Sequence, residues 1–348
     1  MPSFFDLTLD NLTQLVTAWG EPSFRAKQIW QAVYRDLAPS PEEITTLPKP
    51  LRERLKAELT FGSLTPMADA KSLDGQTRKL LFRLPDGKSI EAVLMGYRRR
   101  RTTCISTQAG CAMGCVFCAT GQMGFKRHLS AGEIVEQVMW FARELKGGDD
   151  RLTNIVVMGM GEPFHNYEAT MAAVDLLNDP EGFNFGARRI TISTVGLVPM
   201  IERFAAERRQ VNLAVSLHAA TDKLRTELLP INRKYPLAVL FEAVRKYTAT
   251  TKRRVTFEWA LIQGKNDTPE QARALADLAA GLPCHVNVIP LNPTRAYAGQ
   301  ATTRERAAAF KVALESRGIP CTIRVRRGID IQAGCGQLAV EEQVTLQS

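Results

Sequence analysis

The chain has 348 residues, 45% of them hydrophobic and 23% charged, which suits one large globular domain joined to a small one. It has no run of eighteen apolar residues and no charged segment ahead of an apolar core at its start, so we expect neither a membrane span nor a signal peptide. Its 7 cysteines, three of them clustered, favour metal or redox chemistry in a reducing compartment over a disulfide framework. We therefore expect a cytoplasmic protein.

The net charge of +9 is unevenly distributed along the chain. Residues 51–103 hold 12 basic and 6 acidic side chains, and this stretch ends in Arg98, Arg99, Arg100 and Arg101. Because a basic run can bind a phosphate backbone, and because this run immediately precedes the cysteine cluster, we expect it to contact RNA. A solvated charged face is the alternative.

Residues 1–62 predict a small helical domain, since apolar residues recur there at helical spacing. With the hairpin and the arginine run, this domain is a candidate for contacting RNA. Its aromatic residues Trp19, Trp30 and Tyr34 are expected in the core of that domain and not as base-stacking platforms. Residues 63–101 are expected to form a basic β-hairpin and linker, with strands at 77–84 and 89–97 around a Pro-Asp-Gly turn. Glu91 lies in the second of these strands.

From residue 102 to residue 340, strand-like and helix-like stretches alternate, which predicts an α/β core with a parallel sheet, open or closed as a barrel. Residues 341–348 would be a C-terminal tail. The predicted strands cover 102–107, 154–160, 188–195, 212–218, 255–262, 285–291 and 322–327. The predicted helices cover 131–145, 167–177, 237–247, 269–280 and 304–316.

The first core strand leads into three cysteines, Cys111, Cys115 and Cys118, at C-x3-C-x2-C spacing. Thiolates at close spacing on a glycine-rich loop are typical ligands of iron–sulfur clusters. Three ligands for four irons would leave one iron free to bind a substrate or cofactor. The alternative is a structural zinc site completed by Cys104 or a histidine, although zinc motifs usually come as two paired elements.

Polar residues follow the ends of several predicted strands, where ligand-binding groups of such barrels collect. They are Glu162 within 159–163, Ser193, the segment 216–218 and Asn292. Each alone is explained by a turn or a helix cap, but together they predict a shared ligand with ribose, adenine or amino-acid groups.

The remaining cysteines divide into two kinds. Cys284 and Cys321 have apolar neighbours and are expected to be small buried hydrophobic residues. Cys335 follows the last predicted strand, from which its thiol can reach the mouth of a barrel, and Cys104 lies on the first. Reversible disulfide chemistry between these two is one interpretation, and an inert thiol at Cys335 is the other.

The C-x3-C-x2-C loop after a first strand resembles the signature of the radical S-adenosylmethionine (SAM) superfamily. The wider motif set, over nearly the whole chain, resembles the radical SAM adenine methyltransferases of ribosomal and transfer RNA, the RlmN/Cfr family. The resemblance implies a partial, open β/α barrel, a [4Fe-4S] cluster on Cys111, Cys115 and Cys118, and SAM as methyl donor and radical source. It implies SAM contacts at Gly161, Glu162, Ser193, Ser216, Leu217, His218 and Asn292.

The resemblance also implies a reaction, because an adenine ring carbon is not a nucleophile and cannot attack SAM directly. One SAM would methylate Cys335, and a radical made from a second SAM would remove hydrogen from that methyl group. The resulting methylene radical would add to the adenine, and Glu91 would accept the ring proton. Cys104 would then attack the Cys335 sulfur, which releases the base and leaves a Cys104–Cys335 disulfide.

The implied substrates are C2 of an adenine in the peptidyl-transferase centre of 23S rRNA and C2 of adenine 37 in tRNA. The implied partner is a flavodoxin-like electron donor, and the enzyme is expected to be a monomer. Methylation at C8, as in Cfr, uses the same motifs and stays an alternative. A non-catalytic, zinc-stabilised RNA-binding protein is the alternative from another class.

Overall fold

The computed structural model describes residues 1–148, 150–324 and 326–339. Its first sixty residues form a helical domain of three helices, α1 (Leu9–Ala18), α2 (Phe24–Tyr34) and α3 (Lys49–Glu58). Trp30 and Tyr34 are fully buried and pack against Phe4, while Trp19 is half-buried. The prediction that these aromatic residues serve the core is therefore confirmed for Trp30 and Tyr34.

Ten described strands form a single mixed sheet, in the order β1-β2-β3-β4-β7-β8-β9-β10-β11-β12. The first four are antiparallel neighbours, and every pair from β4 to β12 is parallel. The antiparallel strands are β1 (Thr65–Lys71), β2 (Thr77–Arg83) and β3 (Ser89–Tyr97), which precede β4 (Arg100–Cys104). The parallel strands that follow are β7 (Asn154–Val157), β8 (Ile190–Thr194), β9 (Asn212–Ser216), β10 (Val255–Leu261), β11 (Cys284–Pro290) and β12 (Cys321–Ile323).

A separate two-stranded sheet follows β4, with β5 (Gln108–Gly110) paired antiparallel to β6 (Phe125–His128). Each parallel connection passes through at least one helix, as connections between parallel strands require. These helices are α4 (Ala119–Gln122), α5 (Ala131–Gly147), α6 (Tyr167–Asn178), α7 (Val198–Glu207), α8 (Asp222–Leu228), α9 (Leu237–Thr251), α10 (Pro269–Leu278) and α11 (Arg304–Glu315). No described helix is long and apolar enough to cross a membrane.

The sheet ends at β1 on one side and β12 on the other among the described strands, so the barrel is open. The predicted α/β fold with a partial barrel and a helical N-terminal region is therefore confirmed. The sequence did not predict α4, α7, α8, β1, β5 or β6, and β12 ends at Ile323, short of the predicted end at residue 327. Residue 325 and the predicted C-terminal tail, 341–348, lie outside the described residues.

The helical domain is fixed to the core by two carboxylates. Glu136 on α5 accepts hydrogen bonds from the backbone N–H of Ser63 (2.7 Å), the Ser63 hydroxyl (2.8 Å) and the backbone N–H of Leu64 (3.1 Å). Asp6 accepts the backbone N–H of Gly132 (2.6 Å) at the start of the same helix. A negative carboxylate at a helix N-terminus is also favoured by the helix dipole.

The Glu136→Ala substitution should lower the free energy of unfolding by about 3 kcal/mol, because it leaves two buried N–H groups without their acceptor. Denaturant unfolding of the cluster-free protein measures this. Glu181→Ala, which removes an exposed ion pair with Lys27, is the control and should cost less than about 1 kcal/mol. Equal effects of the two substitutions would contradict this account of the interface.

Candidate active site

The cysteine loop is held at both ends by backbone hydrogen bonds. Cys111 N–H donates to the Gly124 carbonyl (3.1 Å) and Ala119 N–H donates to the Gly336 carbonyl (2.8 Å). Gly110 has a φ of 75°, and a side chain there would place its Cβ 1.9 Å from the Gly124 oxygen. Glycine is therefore required where the strand enters the loop.

The three cysteines of this loop line one cavity, which we call the cluster cavity. Burial raises the pKa of Cys111 to about 12 and raises the pKa of Cys115 and Cys118 as well. Without a bound metal, these thiols therefore stay protonated, since burial disfavours the thiolate. A metal group would supply the positive charge that makes them ionise.

Three cysteines and no fourth donor from a second paired element make up the donor set of this loop. No three His, Cys, Asp or Glu side chains among the described residues are arranged to bind one metal ion. Each iron of a cubane takes its own thiolate, so three cysteines can face a cluster without converging on one point. A structural zinc site requires four donors at about 2.3 Å from one centre. The residues present therefore fit an iron–sulfur cluster with three protein ligands.

Glu162 follows β7 and is buried against the cluster cavity. Its carboxylate accepts the backbone N–H groups of Phe164 (3.0 Å) and Val195 (2.8 Å), yet burial raises its pKa to about 7. Its own N–H donates to Gln108 Oε1 (2.8 Å). A bound amino group would restore the charged form of this carboxyl.

Gly161 makes the turn before Glu162 possible. Its φ is 103°, and a Cβ there would lie 2.6 Å from the Gln108 side chain. The backbone at this position therefore lies against the Gln108 side chain.

The polar residues predicted at strand ends meet at one edge of the sheet. Ser193 and Ser216 end the neighbouring strands β8 and β9, and their hydroxyls lie 3.3 Å apart. His218 adopts a left-handed conformation (φ 59°), and its Nδ1 accepts the backbone N–H of Ala260 (2.9 Å). Burial lowers the pKa of His218 to about 3, so the imidazole is neutral.

Asn292 completes this set, and its buried Oδ1 has no hydrogen-bond partner. An orphaned buried acceptor facing a cavity suits a ligand with a donor group. All the predicted SAM-contact residues except Leu217 line the cluster cavity. The side chain of Leu217 is fully buried in the main hydrophobic core, so any contact with a ligand there would involve its backbone.

Cys335 is exposed and lines two cavities, the cluster cavity and a second one that also contains Cys104. We call this second one the thiol cavity. Asn292 Nδ2 donates to the Cys335 carbonyl (3.0 Å), which fixes the backbone of the segment. Cys104 is buried, and burial raises its pKa to about 12. The predicted pair is therefore brought to a single cavity, and both thiols are free.

Glu91 lies on β3 and is 3% exposed. Its Oε1 is 2.8 Å from Lys79 Nζ, and its Oε2 accepts the backbone N–H of Ala339 (2.9 Å). Its backbone carbonyl accepts the Ser106 hydroxyl (2.6 Å). Glu91 is thus positioned by β2, by the segment after β4 and by the C-terminal segment.

The arginine run lies at the opposite end of β4 from Cys104. Arg98 and Arg99 are exposed, Arg100 lies over the Tyr97 ring at 4.3 Å, and Arg101 pairs with Asp150 (2.6 Å). Arg98, Arg99 and Arg100 are therefore all exposed, and of these three Arg100 is the one that stacks on an aromatic ring.

Three charged residues of the site were missed from sequence. Arg324 has Nη1 4.0 Å from Cys335 Sγ and belongs to a second basic run, with Arg326 and Arg327, that lines the thiol cavity. Arg225 is fully buried and donates to the Val195 carbonyl (2.7 Å). Glu258 is buried in the cluster cavity, and burial raises its pKa. The basic run beside Cys335 was a usable signal, whereas nothing local marks the other two.

Glu258, Lys79 and Gln108 show why such residues cannot be identified from the sequence alone. Each lies in an ordinary strand pattern, and its partner is distant or across a strand. Asn287 donates to Glu258 (2.6 Å) from the neighbouring strand β11. Only the sheet register places these groups together.

Comparison with known proteins first defines the class of protein to which this chain belongs. Residues 105–279 match the model of the radical SAM superfamily, and residues 3–60 match that of the ribosomal RNA large subunit methyltransferase N-terminal domain. A crystal structure of a radical SAM methyltransferase from Sphaerobacter thermophilus has a TM-score of 0.95 and 53% identity, covering 97% of this chain and 99% of that one.

The relatives narrow the class to one family. A probable dual-specificity RNA methyltransferase RlmN from Chloroflexus aurantiacus is 52% identical, over 99% of this chain and 94% of its own length. The dual-specificity RNA methyltransferase RlmN 1 of Myxococcus xanthus is 51% identical, over 97% and 94%. The chain belongs to the RlmN family of radical SAM RNA methyltransferases.

The buried carboxyl of Glu162 predicts a pH dependence of stability. Its folded-state pKa of about 7 lies above the unfolded value, so its stabilising effect is present below about pH 4.5 and is lost as the pH rises through 7. Over that pH interval, the free energy of unfolding of the cluster-free protein should fall by on the order of 3 kcal/mol relative to that of Glu162→Gln.

Denaturant unfolding at pH 5 and pH 8, under reducing conditions, measures the difference. Glu168→Gln removes an exposed carboxyl whose pKa is lowered by Arg203, and it should not reproduce the change. If the wild-type protein and Glu162→Gln respond equally to pH, Glu162 is not the group responsible.

Proposed function

We propose that this protein methylates C2 of an adenine in the peptidyl-transferase centre of 23S rRNA and C2 of adenine 37 in tRNA. The observation that carries the proposal is the position of Cys335, whose residue lines both the cluster cavity and the thiol cavity. The relatives from Chloroflexus aurantiacus and Myxococcus xanthus are named as dual-specificity RNA methyltransferases, which supports two RNA substrates.

Cys111, Cys115 and Cys118 would hold a [4Fe-4S] cluster, and Glu162, Ser193, Ser216, His218 and Asn292 would bind SAM beside it. When bound, these two groups supply a methyl group and a radical that can remove hydrogen from an S-methyl group. The backbone of Gly161, which lines the same cavity, and that of Leu217 would contribute to binding. A flavodoxin-like protein would provide the electron, and the enzyme would act as a cytoplasmic monomer.

Cys335 carries the methyl carbon from one cavity to the other. Its exposed thiol accepts the methyl group, and the S-methylene radical forms the new carbon–carbon bond to adenine. The Arg324 guanidinium lies 4.0 Å from its sulfur and donates to it. Asn292 and Gly334 hold the segment, since a Cβ on Gly334 would lie 2.5 Å from Asn292 Nδ2.

Glu91 and Cys104 complete the reaction. Glu91 accepts the proton from the methylated ring carbon through its carboxylate. Cys104 attacks the Cys335 sulfur, the carbon–sulfur bond breaks, and the released methylene carbon takes up a proton to become the methyl group. The unpaired electron of the adduct leaves to the redox partner, and the disulfide formed must then be reduced. Burial keeps Cys104 protonated in the resting protein, so its thiol must lose a proton when the adduct is present.

The regiochemistry is tested by mass analysis of RNA from cells with and without this protein. Loss of 2-methyladenine from both RNA classes is expected when the protein is absent. A methyl group at C8 would favour the alternative reaction instead. Iron and sulfide in anaerobically purified protein are expected, and zinc alone would support the non-catalytic alternative.

The Cys104→Ala variant should accumulate RNA covalently bound to Cys335, because the adduct has lost its resolving thiol. Denaturing gel electrophoresis of labelled RNA measures the adduct. Cys321→Ala, another buried cysteine, is the control and should form no stable adduct. Normal turnover by Cys104→Ala would show that this thiol does not resolve the adduct.

Replacing Arg98 and Arg99 with glutamine should weaken RNA binding and reduce the slope of log K against log salt by about 0.7 to 0.9 for each phosphate that the variant no longer neutralises. RNA-independent cleavage of SAM should be unaffected. Arg273→Gln, at an exposed ion pair on α10, is the control. An unchanged salt slope would remove these arginines from the RNA-binding surface.

A further inference from the structure

Lys79 is a cation that neither the sequence motifs nor the proposed reaction uses. It lies on β2, its side chain is 14% exposed, and its Nζ is 2.8 Å from Glu91 Oε1. The same Nζ lies 3.4 Å from the carbonyl of Gln332, three residues before Cys335. Lys79 therefore joins the Glu91 carboxylate to the segment that carries the methyl-accepting thiol.

The sheet register explains why these groups face each other. Lys79 pairs with Val93 across β2 and β3, and Glu91 is two residues from Val93, so the two side chains are diagonal neighbours on one face. Val93 in turn pairs with Cys104 on β4. That same face continues through Met95 and Tyr97, which line the thiol cavity. Lys79 thus shares the face that carries the proposed chemistry.

The two oxygens of Glu91 have different partners. Oε1 pairs with the Lys79 ammonium, whereas Oε2 accepts the backbone N–H of Ala339, in the segment just after Cys335. An ion pair between side chains of a sheet can persist while a C-terminal segment moves. Oε1 is therefore bonded within the sheet, whereas Oε2 is bonded to the C-terminal segment.

We propose that Lys79 is a positioning residue for Glu91, the proton acceptor. Lys79 keeps Glu91 ionised and directs its Oε2 to the adenine. The proposal rests on the proposed role of Glu91. When Ala339 withdraws, the ring C–H bond breaks heterolytically, its proton joins Oε2, and the electron pair stays with the adduct. Lys79 keeps all its protons throughout and stabilises the charge that Glu91 carries before the transfer.

The charged and titratable groups around Glu91 come from several elements. From β2, Lys79 contacts it, and from β4, Cys104 shares its face with a pKa that burial raises to about 12. From the segment after β7 the described contact is Met160, and from the C-terminal segment it is the amide of Ala339. The thiol cavity beyond it contains Tyr97, Arg324, Arg326, Arg327 and Cys335. Lys79 is the group whose removal tests the proposal directly.

The experiment compares Lys79→Met, which removes the charge, with Lys79→Arg, which retains it. The first readout is the pH dependence of single-turnover RNA methylation. The second is the titration of Glu91 in RNA-free protein, followed by 13C NMR of glutamate labelled at Cδ and assigned with Glu91→Gln. Iron content and RNA-independent SAM cleavage confirm that each variant is folded.

Loss of the Lys79 charge should raise the pKa of Glu91 by about one unit or more, since a neighbouring cation favours the carboxylate. The acid limb of turnover in Lys79→Met should move to higher pH by the same amount, which makes turnover up to about tenfold slower at pH values on that limb and leaves it close to wild type on the plateau above it. Lys79→Arg should keep the limb within about half a unit. Lys311→Met, at an exposed ion pair on α11, should behave as wild type.

An acid limb and a Glu91 titration that stay in place in Lys79→Met would overturn the proposal, even if turnover were slower. Should Lys79→Met fail to fold, Lys79→Gln gives the same two readouts. If Glu91→Gln still methylates RNA, Glu91 is not the proton acceptor, and Lys79 then has no positioning role in the reaction. If Glu91→Gln is inactive but the acid limb and the Glu91 titration do not shift in Lys79→Met, the proposed function stands. Only the positioning role of Lys79 is then rejected.

Discussion

The active site depends on a short set of hydrogen bonds that fold the C-terminal segment back over the cysteine loop. Ala119 N–H donates to the Gly336 carbonyl (2.8 Å), and the Thr120 hydroxyl donates to the Leu338 carbonyl (2.6 Å). Asn292 Nδ2 donates a hydrogen bond to the carbonyl of Cys335 (3.0 Å), the residue directly before Gly336. Without these bonds the cluster cysteines and the polar strand ends would remain, but Cys335 would not lie where the two cavities meet.

The electrostatics of the site follow from burial. Glu162 and Glu258 have raised pKa values because the protein withdraws them from water, and the cluster cysteines have raised pKa values for the same reason. Two buried guanidinium groups partly offset this effect. Arg225 lowers the pKa of Cys115, and Arg324 lowers the pKa of Cys104. A ligand that brings positive charge into this cavity would therefore be stabilised by its carboxyl and thiol groups, and its binding would cause those groups to ionise.

Much of the fold could be predicted because its signals are local. Ser130 and Glu133, three residues apart, form a capping box at the start of α5, and the strands from β7 to β11 begin within two residues of their predicted positions. The misses have physical causes. α8 has only seven residues, too short for a clear helical period, and β1 pairs at the edge with mostly exposed residues, so its pattern is weak.

The sequence by itself determined the ligand types and their spacing, namely three cysteines on a glycine loop and polar groups at strand ends. These are local properties, and parallel strands necessarily bring their carboxyl ends to one edge. Only the tertiary structure decided which charges face the chemistry. Lys79 meets Glu91 through the register of β2 and β3, and Arg324 lies beside Cys335 while Arg98 and Arg99 lie at the far end of β4. Cross-strand pairing and chain reversal set these distances, and neither leaves a mark in the local pattern of residues.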